Sequence, residues 1–374
     1  MSKLEELIRE LCPNGVEFKF LGDVSINKDS LRKPITSDKR VAGDYPYYGA
    51  SGIVDYINEY IFDGDYLLVS EDGANLLSRN TPIAFSISGK NWVNNHAHVL
   101  EFNTEAERKF IEYYLNSINL EPYISGSAQP KLNQKNLNII RVPAPPLEVQ
   151  QEIVRLLDEF TTKTTELQAE LNKEYEARKK QYEFYRDELL TKKNGLVSNQ
   201  VLLSNIAKIK NGKDYKHLNS GTYPVYGSGG IMTTVSEFVY DKPSVLIPRK
   251  GSLGNLYYVE EPFWNVDTIF YTEINEDMVL PKYLFYLLQN EHLEKLNNAG
   301  GVPSLTQSAL NKVKLYVPSL DEQHKIVCIL DNFKSICNEL QSSISIELES
   351  RQKQYEFYRD KLLTFKELNE SEVN

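Results

Sequence analysis

Ile247 to Asn255 read IPRKGSLGN, the strongest local candidate for nucleic-acid contact within residues 196–318. The apolar run before it predicts a strand ending on Arg249 and Lys250, and Gly-Ser-Leu-Gly predicts the turn that follows. A guanidinium held there can donate two parallel hydrogen bonds to a guanine edge or to a phosphate. The glycines would let backbone amides approach closely, and Asn255 adds a side-chain amide. Arg249 is the only arginine between Leu196 and Pro318, which puts DNA contact on an equal footing with the alternative of a solvated basic turn.

A matching stretch lies earlier, at Leu67 to Asn80, LLVSEDGANLLSRN. There Glu71 and Asp72 replace the basic pair, and Asn75 and Arg79 become the candidate contacts. NNHAH, from Asn94 to His98, adds Asn94 and Asn95 as a second kind of reader, because a side-chain amide can pair bidentately with adenine. Its two histidines, two positions apart, share a face if the segment is a strand. A metal would need further ligands that the sequence does not supply, so a hydrogen-bonding role is expected and no metal site. Cys12, Cys328 and Cys337 are odd in number and have no CxxC spacing, which predicts reduced thiols.

Motifs for catalysis are missing. The chain contains no Asn/Asp-Pro-Pro-Tyr/Phe segment of an amino-methyltransferase, no GxxxxGK[ST] loop, and no nuclease-like pairing of acidic residues with ExK. SISGKN at Ser86 to Asn91 has Ala84 where a phosphate loop needs glycine. A non-catalytic chain is expected. It has 374 residues, 42 basic against 52 acidic, and a formal charge of −10, which opposes phosphate binding by bulk charge. The acid excess is spread along the chain and densest near its end, so acidic helices would suit a protein partner while local basic loops line a groove. No apolar run of about eighteen residues occurs, and MSKLEELIRE is charged and amphipathic, so a cytoplasmic protein without a membrane span is expected.

The elements that must position these residues come in duplicate. QYEFYRDELLT at Gln181 to Thr191 returns as QYEFYRDKLLT at Gln354 to Thr364. At the same shift of 173 positions, LEVQQEIVRLLDEF at Leu147 to Phe160 meets LDEQHKIVCILDNF at Leu320 to Phe333, and Leu132 meets Leu305. A shift of 178 pairs YPYYGASGI (Tyr45 to Ile53) with YPVYGSGGI (Tyr223 to Ile231), and Gly73 with Gly251. The chain is therefore a tandem duplication. Short apolar runs broken by Gly, Asn, Asp and Pro predict an α+β fold with two pseudo-repeated domains built on curved, mostly antiparallel sheets. The expected boundaries are 1–146, 147–195, 196–318 and 319–374, alternating variable domain and long helix.

Each helical part steps by three or four residues. Leu157, Phe160, Thr164, Leu167, Leu171, Tyr175, Arg178, Tyr182, Tyr185 and Leu189 predict one seam; Leu330, Phe333, Cys337, Leu340, Ile344, Leu348, Arg351, Tyr355, Tyr358 and Leu362 predict its match. Two such helices, each of order 65 Å, are expected to pack as an antiparallel coiled coil and act as a spacer. The identical exposed pairs Arg186–Asp187 and Arg359–Asp360 suggest a surface that meets one partner twice.

This arrangement, with LxxQxxIVxxLDxF opening each helix and QYEFYRDxLLT closing it, resembles the specificity (S) subunits of type I restriction-modification systems. SGSAQPKLNQKNL (Ser125 to Leu137) and GGVPSLTQSAL (Gly300 to Leu310) are similar to the segments that close that family's recognition domains. The two differ in detail, Ser-Ala-Gln-Pro-Lys standing against Gly-Val-Pro-Ser. The resemblance implies two target recognition domains, each reading one half of a split DNA sequence. It implies two methyltransferase (M) subunits docked on the helices, carrying S-adenosylmethionine, and restriction (R) subunits associated with these. Two rivals remain open from the residues: a stand-alone DNA-binding regulator or coiled-coil scaffold, and the recognition portion of a single-chain modification enzyme. Tight DNA binding without a methyltransferase would favour the first. The lack of a catalytic domain counts against the second.

Overall fold

The computed structural model describes residues 2–126, 129–191, 199–297 and 304–368. Ser127 and Ala128, the expected 195/196 boundary, Gly300 to Pro303 and the last six residues lie outside the described residues. The chain divides into two compact units, Met1–Ala169 with Ile346–Asn374, and Glu170–Ser345. Each unit thus contains one variable domain, half of the helix that follows it, and half of the other long helix.

In the first unit a four-stranded antiparallel sheet has the order Ile26–Asn27, Ala97–Glu101, Tyr66–Ser70, Ala84–Ile87. A second sheet has the order Gly52–Ile57, Ala42–Gly49, Lys90–Val93, Phe62–Asp63, and its middle pair is parallel. YLLVS at Tyr66–Ser70 is buried from Leu67 onward, as a strand in the middle of a sheet requires. The helix Glu105–Ser117 starts on a capping box between Thr104 and Glu107 and presents Phe110, Ile111 and Leu115 to the core.

The second unit repeats the plan. Its four-stranded sheet runs Ala207–Asn211, Ile269–Ile274, Ser244–Pro248, Tyr257–Val259, and a three-stranded sheet runs Gly230–Val235, Tyr223–Gly227, Trp264–Asn265, again with a parallel pair. Both hairpins carry a register shift at the same place, Tyr47/Tyr48 and Val225/Tyr226, and such bulges bend the sheet locally. Trp92 donates its indole N–H to the Lys33 carbonyl, and Trp264 does the same to Lys213. The α+β architecture with mostly antiparallel sheets is the expected one; the parallel pairs are the exception that the sequence pattern did not reveal.

The two long helices are Leu147–Leu190 and Leu320–Leu363, 44 residues each, or about 66 Å at 1.5 Å per residue. In the first unit Val149, Ile153, Val154 and Leu157 share one core with Leu363, Tyr355 and Leu362. The Phe160 and Tyr355 rings lie 5.7 Å apart. In the second unit Tyr175 donates to Gln341 and Tyr185 stacks with Phe333, an order of contacts that makes these segments antiparallel. Leu190, Tyr182 and Leu189 complete that unit's core beside Ile326 and Leu330. Leu157, Leu330 and Ile344 are buried, and Phe160, Leu167, Leu171, Tyr182, Phe333, Leu340 and Tyr355 are half-buried. Tyr185 and Tyr358, also expected on the seam, are exposed, Tyr185 still lying against Phe333. Arg178 and Arg351 correct the expected seam. Both are exposed and bond along their own helix, to Glu174 and Gln181 and to Glu347 and Gln354, because a charge on a helix surface finds partners three and four residues away.

A polar latch fixes each domain on the helix that follows it. Asp158 accepts from Lys109 Nζ at 2.7 Å and from the Tyr113 hydroxyl at 2.6 Å. Asp331 accepts from Lys282 at 2.8 Å and Tyr286 at 2.5 Å. Burial and the neighbouring aspartate both push the Tyr113 and Tyr286 hydroxyls up, so each remains a donor. Removing one partner strands the others, a loss of about 1–3 kcal/mol. Asp158→Ala should therefore speed hydrogen exchange in Glu105–Ser117 and leave Pro281–Asn290 unchanged, and Asp331→Ala should do the reverse.

Candidate nucleic-acid interface

Four segments converge at one end of each sheet pair. In the first unit they are the hairpin tip at 49–52, the loop leaving Tyr66–Ser70, the turn at 94–96 and the strand-like stretch at 129–132. The Ser70 hydroxyl donates to the Ala50 carbonyl, Glu71 N–H to the His96 carbonyl, and Leu132 N–H to the Glu71 carbonyl. In the second unit Arg249 N–H donates to the Thr268 carbonyl and Leu305 N–H to the Arg249 carbonyl. Glu71 and Arg249 thus occupy the same backbone place, with opposite charges. Gly73 and Gly251 follow them at φ of +108° and +83°, a left-handed turn that any side chain would strain.

The two charges are handled by different means. Glu71 accepts from Arg32 Nη1 at 2.7 Å and lies 3.0 Å from Lys131 Nζ. Arg32 also lies 3.2 Å from Asp29, whose carboxylate accepts from Val99 N–H and faces His98 Nδ1 at 2.6 Å. His98 Nε2 faces the Leu132 carbonyl at 2.7 Å, so the buried ring is held between a carboxylate and a carbonyl. Burial alone would raise Asp29, but bonds from His98 and Val99 with the Arg32 charge outweigh it and hold the carboxyl below its usual range. Burial likewise opposes, and Arg32 and Lys131 overcome it, at Glu71. Asp29, Glu71 and His98 could together approach a metal ion. Arg32 and Lys131 already supply the cationic charge that a metal would bring, so the cluster reads as an ion-pair network. In the second unit the Arg249 guanidinium lies 5.7 Å from the Phe270 ring and has no side-chain ion pair or hydrogen bond among the described residues.

The candidate residues separate by geometry. Arg249 is half-buried at the rim, while Lys250, Asn255 and Asn95 are exposed there. Asn94 is buried and accepts from His96 N–H, so its oxygen serves the turn. Asn75 pairs twice with the Thr81 backbone. Arg79 points away from the convergent loops, toward Asn116 and the helix pair. The helix-borne candidates Arg186–Asp187 and Arg359–Asp360 bond to each other along their own helices. Asp29, Arg32 and the Asp158 and Asp331 latches escaped the sequence reading. The latches had a signal, since Lys109, Tyr113 and Asp158 recur as Lys282, Tyr286 and Asp331 at the common shift.

Asp29 and Glu71 bind fewer protons folded than unfolded. The stability they contribute is therefore complete above the ordinary carboxylate range near about pH 4, and is lost as pH falls through their lower folded values. At the corresponding place the second unit has Arg249 and Phe270 instead of the carboxylate and the histidine. On acidification, amides of Tyr66–Ser70 and Ala97–Glu101 should lose exchange protection before those of Ser244–Pro248 and Ile269–Ile274, and Glu71→Gln should shift the acid response of the first set alone.

Comparison with known proteins agrees with this duplicated frame. Residues 13–177 and 198–350 each match the type I restriction modification DNA specificity domain. A putative type I restriction enzyme specificity subunit of Haemophilus influenzae is 33% identical over 374 aligned positions, covering 94% of this chain and 96% of the relative. The EcoR124I/EcoR124II specificity subunit of Escherichia coli is 30% identical over 290 positions, 69% of this chain and 70% of its own length. Among solved structures, the HsdS subunit of Thermoanaerobacter tengcongensis shares the fold at a TM-score of 0.61 and 16% identity, covering 94% of this chain and 97% of that one. A chain from work on the assembly and conformational transition of a type I R-M system reaches 0.69, also at 16% identity, over 94% and 98%. With two copies of the specificity domain spanning most of its length, the chain belongs to the type I restriction-modification specificity subunits.

Proposed function

We propose that each unit reads one half of a bipartite, non-palindromic DNA target through its convergent loops, while the long helices set the gap and dock two methyltransferase subunits. The observation that carries this reading is the shared backbone place of Glu71 and Arg249. Matching frames suit one docking geometry used twice, and opposite charges at the same rim position suit two different half-sites. Lys250, Asn255 and Asn95 stand beside that position, where phosphate or base edges would lie. With a net charge of −10 the chain has little bulk attraction for DNA, which favours a complex over a stand-alone regulator. Arg186–Asp187 and Arg359–Asp360 stay the candidate contacts for the methyltransferase subunits. S-adenosylmethionine would bind on those subunits, and restriction subunits would join through them.

The first test exchanges residues 196–318 for the second recognition domain of the Haemophilus influenzae relative and maps methylated motifs with the methyltransferase subunit present. One half of the motif should change and the other should persist; a change in both would sink the idea of independent reading units. A second test resolves Arg249. If its guanidinium is bidentate to a base, Arg249→Ala should cost about 1–3 kcal/mol on the matched half-site and relax specificity there. A phosphate contact would weaken all sequences alike, and no change in binding would make it a solvated turn residue.

A further inference from the structure

Arg79 breaks two local rules at once. Its backbone is left-handed, at φ 48° and ψ 35°, a region that residues other than glycine, asparagine and aspartate rarely adopt. Its Nη2 atom is buried without a partner among the described residues, while Nη1 makes only a 3.3 Å bond to the Asn116 carbonyl. Burial and the nearby Arg359 charge both act to lower its pKa. Strain and an unfilled buried donor at one residue are expected where the surroundings hold it for a purpose other than stability.

The surroundings form a cavity of about 440 Å³, walled by the Arg79–Ile83 turn, the helix Glu105–Ser117 and the helix segments that carry Thr161 and Tyr355. Arg359 is the second guanidinium on its wall, 18% exposed, lying over the Tyr355 ring and bonded to Asp360. The acids nearby are occupied. Glu112 takes the Ser86 N–H and hydroxyl, and burial holds its carboxyl up, toward the neutral form. Glu356 accepts from Gln352. Arg79 and Arg359 thus give the recess two guanidiniums, offset in part by the Glu121 charge that also acts on Arg79, and one N–H donor buried in its wall has no partner among the described residues. A carboxylate is planar, carries a single charge and matches a guanidinium edge. A DNA backbone, with charge at every phosphate, would have to pass Glu356.

We infer that this recess in the first unit receives an acidic side chain of a partner protein, its carboxylate balancing the Arg79 and Arg359 guanidiniums once the Arg79 side chain turns its unpartnered Nη2 toward it. Resting on the reading that methyltransferase subunits dock here, the inference assigns the carboxylate to one of them. The corresponding cavity of the second unit, about 360 Å³, is lined by Tyr258, Phe285 and Tyr286 with Lys282 and Lys334 beside Asp331, and offers no arginine pair. The acidic contact is thus made once per chain.

Arg79→Asn removes the guanidinium and suits the left-handed backbone. Expected results are an unchanged or higher Tm for the chain alone and an affinity for the methyltransferase subunit at least about tenfold weaker by calorimetry, the loss of one charge-assisted bond. A second arm needs no partner: glutarate, against chloride at equal ionic strength, should raise the Tm of the parent chain and not of the variant. A lower Tm with unchanged subunit affinity would make Arg79 a structural prop and overturn the inference. So would a larger Tm rise with inorganic phosphate than with glutarate, accompanied by weaker DNA binding but normal subunit binding. Should the parent chain fail to bind the methyltransferase at all, the functional reading falls, and the glutarate arm still decides the pocket.

Discussion

Neither variable domain has a complete core of its own. The first core is closed by Leu363, with Tyr355, Leu362 and Phe365 packed against it, and the second by Leu190 with Tyr182 and Leu189. These residues lie at the far end of the long helix that does not begin in that unit. Burying a large apolar side chain contributes about 1.5–3 kcal/mol, so several of them are a substantial part of a domain's margin. Folding of each unit is thereby tied to the run of both helices. The requirement explains the near-identity of QYEFYRDELLT and QYEFYRDKLLT: each copy fills the same hollow in the other copy's unit. Equivalent side chains have equivalent surroundings, Arg186 lying 5.9 Å from the Tyr182 ring and Arg359 5.9 Å from that of Tyr355.

That frame was legible because duplication writes it twice. The shifts of 173 and 178 positions located the hairpins and both long helices, whereas residue spacing found Leu157, Leu330 and Ile344 among the buried helix positions and missed Val149, Ile153, Val154, Leu190, Ile326 and Leu363. Arg178 and Arg351 misled because spacing of three and four marks a stripe without saying how wide it is; at the margin, charge decides which way a residue faces. The parallel strand pairs were hidden for another reason. Lys90–Val93 and Trp264–Asn265 are too short to show a period, and their partners are set by the chain's path and not by local pattern.

The candidate site was legible only in outline. Sequence alignment of the two loops put Glu71 opposite Arg249, and the hydrogen-bonding pattern puts them at the same backbone place. It could not say where the side chains go. Asn75 and Asn94 look like free amides in the sequence, yet both are used inside turns, as short amide side chains beside a tight backbone often are. Arg79 sits four residues beyond Asn75, but its left-handed backbone directs the guanidinium toward the helix pair. Asp29 and Arg32 are distant in sequence from Glu71 and have no counterpart motif, so only folding reveals them as its neighbours.

The different neutralisation of Glu71 and Arg249 also bears on how such a chain can vary. Placing arginine at position 71 alone would set it against Arg32 and Lys131, with Asp29 and His98 already paired to each other, and unpaired buried charge costs several kcal/mol. Placing glutamate at 249 would bring a carboxylate to the face of Phe270, where the ring's quadrupole favours a cation. A change of charge at the rim therefore requires coordinated changes at positions drawn from three or four separate segments of the same domain. The latches and the helix-borne core residues, by contrast, are common to both units and need not change. In the proposed role this makes the whole variable domain, and not the single rim residue, the unit in which recognition can be altered while the frame stays fixed.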